Sequence, residues 1–282
     1  MSDAHDPFSL FPFRAIADAP KITWPNGARV AVWVIPNVEH FHLEIGSPAP
    51  DVRNFSRRDY GNRVGLWRLM DVLNKHKIRG TVALNAEIGI YYPRIMQAMI
   101  DLDWELMGHG LTNSKIMSGL EIDAERKLIL DTRKVIEDWG RKMHGWLGPG
   151  LTETFNTPDL LKECGVEYVA DWVNDDLPYR FNNGLYSIPY SIEINDMPLF
   201  NMPSISIEDF KRRICDSFDV LYAEGATNGR VLGIALHPFL IGAAHRIKYL
   251  DEALQYIAGH DKVWFATGDE IIRAYKAQET KA

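Results

Sequence analysis

Residues 28–44 read ARVAVWVIPNVEHFHLE, and the first nine of them decide the fold. ARVAVWVIP is a continuous apolar run, without the alternation of a strand that has one wet face. Such a run belongs to a strand covered on both sides, as in parallel sheets flanked by helices. The chain then changes character, and Glu39, His40, His42 and Glu44 follow within a few residues. A carboxylate beside an imidazole at the end of a core strand can serve as base and metal ligand together. The plainer alternative is a solvated polar loop. His42 and Glu44 fit that alternative, at most as rim residues, whereas Glu39 and His40 are the pair placed to work.

Outward from this strand, apolar and amphipathic stretches alternate along the chain. Strands are expected over IRGTVALNAE (78–87), WELMGHG (104–110), VEYVADW (166–172), GLYSIPYSIE (184–193), RVLGIALHP (230–238) and KVWFAT (262–267). Between them the 3.6-residue spacing predicts helices over 64–77, 93–103, 121–142, 157–165, 206–225, 247–260 and 268–278. Pro93 opens one of these, and Thr157, Pro158 and Gly165 read as cap, first position and stop of another. Ser206 and Asp209 form a variant capping box. The stretch DVRNFSRRDYGNR (51–63) reads as a polar loop and residues 1–28 as an irregular lead-in. Alternation of this kind gives an α/β fold of about six to eight parallel strands, a barrel or a doubly wound sheet, with the strand number favouring barrel-like closure. Nothing reads as a linker, so residues 1–282 are taken as one domain.

Composition narrows the partners. A net charge of −7 and the lack of any Lys/Arg block argue against a nucleic-acid surface. The apolar runs are too short to span a membrane. The first twenty residues carry Asp3 and Asp6 and lack the pattern of a signal peptide, so a cytoplasmic location is expected. Cys164 and Cys215 lie far apart and read as two reduced thiols rather than a disulfide framework. A closed homo-oligomer is the expected assembly.

Three strand ends carry chemistry. Glu39/His40, His109 in MGHGLTNS (107–114) and His237 in IALHPF (234–239) all follow predicted strands. In parallel barrels that end of the strands forms the active site. His109 and Asn113, four apart, either chelate a divalent ion or hydrogen-bond in the core and cap a turn. His237, locked by Pro238, is either a general acid or a satisfied buried histidine. Arg57, Arg58 and Arg63 either bind an anionic or carbonyl-rich substrate or pair with acids at a subunit interface. Trp146, Trp172 and Tyr179 either wall a pocket or fill the core.

In order, the strand-end carboxylate, His-Gly-x-x-x-Asn, Gly-Trp-x-Gly and Leu-His-Pro resemble the polysaccharide deacetylase family. RDYGNRVGLWRLMDVLNKHKIRGTVALNA (58–86) and GWLGPGLTETFNTPDLLKECGVEYVADWVNDDLPY (145–179) are similar to its cytosolic, allantoinase-like branch. The resemblance runs over roughly residues 24–272. It implies a distorted (β/α) barrel of about seven parallel strands and hydrolysis of a non-peptide carbon–nitrogen amide bond. It further implies Glu39 as base, His237 as acid, and a divalent cation, zinc by choice, on His40, His109 and Asn113. Relatives without metal make a metal-free site the alternative. The family's Asp-Asp pair is Glu39-His40 here, its second metal histidine is Asn113, and its bracing arginine would fall near Gly148-Pro149-Gly150. Tyr60, Arg63, Trp146, Gly148 and Trp172 are the expected substrate contacts, with a backbone N–H between Gly148 and Leu151 facing the oxyanion. The substrate expected is a small cytosolic amide, a ureide or an N-acetylated sugar. The alternative is a catalytically silent barrel that binds a ligand or assembles with partners.

Overall fold

The computed structural model describes residues 6–44, 49–200 and 205–279. The apolar run forms β1 (Val30–Val38), buried along its whole length. The other strands are β2 (Thr81–Leu84), β3 (Glu105–Gly108), β4 (Gly145–Trp146), β5 (Tyr168–Val169), β6 (Tyr179–Arg180), β7 (Tyr186–Ser187), β8 (Arg230–Leu236) and β9 (Val263–Phe265). They make one curled sheet in the order β6-β7-β5-β4-β3-β2-β1-β8, with β9 paired to β1 off that path. Every pairing is parallel except β6 with β7. The expected distorted α/β barrel is therefore present as a mostly parallel half-barrel.

β1 is the hub. One edge pairs with β8 from Val30↔Arg230 to Pro36↔Leu236. The other edge is shared: β9 takes Val30 to Val32, and β2 takes Asn37 and Val38. Pro36 has no N–H to donate and sits where the β9 ladder has ended and the β2 ladder has not begun. The far edge of β8 is covered by returning chain, with Ala235 N donating to Ile194 O at 3.0 Å and Val231 N to Asp176 O at 3.0 Å.

The helices are α1 (Val52–Tyr60), α2 (Leu66–Lys75), α3 (Ala86–Tyr91), α4 (Pro93–Asp101), α5 (Ile122–Asp138), α6 (Thr157–Glu163), α7 (Asp196–Phe200), α8 (Ile207–Glu224), α9 (Pro238–Ile241), α10 (Ile247–Ala258) and α11 (Gly268–Glu279). The capping box at Ser206 and Asp209 is formed in full. Thr157 departs from its expected part: it is the first residue of α6, and its hydroxyl donates to the buried Glu125.

The expected loop at 51–63 is instead α1 followed by a π-type turn, Gly61–Gly65. Asp51 caps α1 by accepting from Asn54 N at 3.0 Å, and no residue of the helix is buried. With few apolar residues and none of them buried, it reads as polar chain. The turn packs tightly on α9: a methyl on Gly65 would lie 2.0 Å from Pro238 O, and one on Gly61 2.7 Å from Phe239 N. That contact ties α1 to the segment carrying His237. Among the described residues, no helix is long and apolar enough to cross a membrane.

Candidate active site

Because the strands run parallel, their C-terminal ends open on one face, and a cavity of about 340 Å³ lies there. Glu39, one residue beyond β1, reaches it from a position only 7% exposed. Its Oε1 lies 3.5 Å from His109 Nε2 and 3.6 Å from His237 Nε2, and accepts from Asn113 Nδ2 at 2.5 Å. Its Oε2 is buried and has no partner among the described residues. The structure thus brings together Glu39, His109, Asn113 and His237.

Each of these groups is held from behind. His109 Nδ1 lies 2.6 Å from Leu147 O, which turns Nε2 toward Glu39. Asn85, just after β2, donates to the His109 carbonyl and, at 3.1 Å, to Asn113 Oδ1, so the Asn113 amino group is left for Glu39. His237 Nδ1 lies 2.7 Å from Asp196 Oδ1. The fully buried Asp196 also accepts from His237 N at 2.9 and 3.0 Å and from Ile241 N at 3.2 Å.

Burial alone would push the Glu39 carboxyl up, but the His237 and His109 rings beside it bring it down to about 2. Burial works against a charge on His237, yet Glu39 and Asp196 raise its imidazole to about 10. Asp196 itself is raised by burial, against the pull of the imidazolium and the three N–H bonds. The result is an ionised carboxylate facing a protonated imidazole across the cavity, the starting states required of a base and an acid.

The remaining expected residues stand elsewhere. The His40 ring turns away from His109 and Asn113: its Nδ1 lies 3.2 Å from the Tyr92 hydroxyl and its Nε2 3.4 Å from Glu87 Oε2. Successive side chains alternate along a strand, and just past the end of β1 Glu39 and His40 still reach different clusters. Asn113 offers its N–H to the cavity and its oxygen to Asn85. The His40, His109 and Asn113 set therefore does not converge on one ion. Among the described residues, the group close enough to share one is His40, His42 and Glu87, within 4.8 Å of one another.

None of the five expected substrate contacts lines the cavity. Arg63 is 75% exposed and paired with Asp59. Tyr60 accepts from Arg68 Nη1 at 2.6 Å. Trp146 is buried in the core. Trp172 packs on Phe11 and Phe181 and donates to Glu153 Oε1 at 3.1 Å. Gly148 N is taken by Asp171, at 2.8 and 3.1 Å, and so is not free for an oxyanion.

Arg58 is the arginine that lines the cavity. Its guanidinium lies 4.4 Å over the Phe41 ring, and its Nε has no partner among the described residues. Leu151, in the left-handed region at φ 56°, also lines the cavity. The sequence reading missed Asp196 and Asn85. Asn85 follows a strand directly and obeys the same strand-end rule as the histidines. Asp196 carried no local signal, because long-range chain return brings it under His237.

Residues 58–169 match the family model for polysaccharide deacetylase. A Schizosaccharomyces pombe protein named "Putative polysaccharide deacetylase" is 26% identical over 90% of this chain and 92% of its own length. The crystal structure of a "probable Polysaccharide deacetylase from Pseudomonas aeruginosa PAO1" superposes with a TM-score of 0.84 at 28% identity, over 93% of this chain and 95% of that one. That of "Puue Allantoinase" superposes with a TM-score of 0.85, also at 28% identity and the same coverage. The resemblance read from the sequence is thereby borne out: the chain is similar to polysaccharide deacetylases and shares its curled fold with a crystallised allantoinase.

Proposed function

We propose that the protein hydrolyses a non-peptide carbon–nitrogen amide bond of a small substrate. The observation that carries this reading is the ionised Glu39 facing the protonated, Asp196-backed His237 across one cavity, with Glu39 Oε2 unpartnered. Glu39 takes a proton from water as the oxygen attacks the carbonyl carbon. The C–N bond then breaks, and His237 Nε2 gives its proton to the departing nitrogen. A carboxylate held near 2 is a weak base at rest. The oxyanion that forms beside the imidazolium offsets the charge that depresses Glu39, so its basicity rises as the reaction proceeds. The Asn113 amino group lines the same cavity and bonds Glu39 Oε1. No step is assigned to a metal, because the donor set expected for one does not converge.

The cavity, about 340 Å³, is at the small end for ligand sites. It suits a monomeric amide or ureide better than a polymer lying in a groove. Arg58, which lines the cavity, supports a substrate with a second carbonyl or a carboxylate. The name of the allantoinase relative agrees with a ureide. A screen of linear and cyclic ureides, cyclic imides and N-acetylated sugars of increasing length, with Glu39→Gln as control, tests this reading. Turnover is expected on small amides, with no gain from longer sugars and a loss of about 10²–10⁴ in kcat for Glu39→Gln. Full activity in Glu39→Gln, or no cleavage of any amide by the folded protein, would refute it.

A further inference from the structure

The ring that turned away from the cavity belongs to a second cluster. His40 and His42 lie two apart in the segment that follows β1, and both rings reach the same carboxylate. Their Nε2 atoms lie 3.4 and 3.0 Å from one oxygen, Glu87 Oε2. Glu87 sits in the first turn of α3, whose start is pinned by Ala86 N to Gly110 O at 2.9 Å and Glu87 N to Leu111 O at 3.1 Å. The Tyr92 hydroxyl, 3.2 Å from His40 Nδ1, orients that ring from behind, as outer partners of metal-bound histidines do. His40 and Glu87 are nearly buried, while the His42 side chain is 42% exposed, so an ion has a way in and room for water.

We propose that His40, His42 and Glu87 form a divalent-cation site of the zinc class, outside the reaction cavity. Two imidazoles and one carboxylate with an open fourth position are a zinc donor set. An ion there clamps the segment that follows β1. His40 N donates to Asn85 Oδ1 at 2.8 Å, and the His40 carbonyl accepts from Asn113 N at 3.0 Å and Thr112 Oγ1 at 2.8 Å. Asn85 and Asn113 are the residues that position Glu39. The cation is thus a positioning element for the cavity and touches no substrate. The site does not depend on the reaction assigned to Glu39, so its test uses binding and stability.

The full-length protein, stripped with a chelator, is titrated with Zn²⁺ alone by calorimetry and with Co²⁺ alone by visible absorption. One ion per chain is expected, with the intense cobalt bands of a four-coordinate site and a raised thermal midpoint. His42→Ala, at a half-exposed position, and Glu87→Gln should each weaken Zn²⁺ binding by about tenfold or more. Asn113→Ala should leave it unchanged, with folding of every variant checked by circular dichroism. The proposal fails if the folded protein takes up no ion. It also fails if His42→Ala binds as the wild type does, or if Asn113→Ala abolishes binding.

Discussion

At the scale of single residues, Asp196 and Arg58 are the side chains whose parts are most open to trial. Asp196 holds the His237 proton, so in Asp196→Asn the alkaline limb of the kcat/KM profile should move to lower pH. A purely structural role would lower the rate and leave that limb in place. Arg58→Ala removes a charged donor worth about 1.5–3 kcal/mol, which converts to a rise of about 10- to 100-fold in KM with kcat little changed. Steady-state kinetics with Arg58→Lys alongside separates charge from packing. Glu39, His109 and His237 were legible in the sequence because each follows an apolar strand. The reading erred on the partners of His40, which lies with His42 and Glu87 rather than with His109 and Asn113. It erred on Arg63 and Tyr60 because a helix, rather than a loop, decides which arginine of that segment turns inward.

Among the elements, the turn after β4 carries its own pH dependence. Asp171 receives Gly148 N and lies against Glu153, which is bonded to Trp172. Burial and the neighbouring carboxyl push Asp171 up, and burial raises Glu153 to about 7. A raised carboxyl contributes stability that is present below its ordinary range and lost as pH rises through its folded value. The thermal midpoint of the wild type should therefore fall between pH 5 and 8 relative to Glu153→Gln. Glu39 works oppositely, its contribution being lost only as pH drops toward about 2. Long apolar strands and striped helices were readable from periodicity. β5 and β7 lie inside the longer strands expected over 166–172 and 184–193, whereas β4 and β6 were not read, since two residues carry no period, and α1 was not, since it buries no side chain.

For the whole molecule, parallel alignment does most of the work, delivering residues from β1, β3 and β8 to one mouth. The hub strand has a further consequence, for the order of folding. β1 is made early, but its ladder partners Arg230 to Leu236 and Val263 to Phe265 come about 200 residues later. During synthesis this apolar strand has only the β2 ladder at Asn37 and Val38 until the last quarter of the chain emerges, and an exposed strand edge of that kind is prone to aggregation. Stopping the chain just before Val263 should leave the Val30–Val32 part of one β1 edge open and send the product to the insoluble fraction, whereas co-expressing a chaperone with the 282-residue chain should raise its soluble yield. Pelleting assays of the two forms read this directly: most of nascent β1 has to wait for β8 and β9.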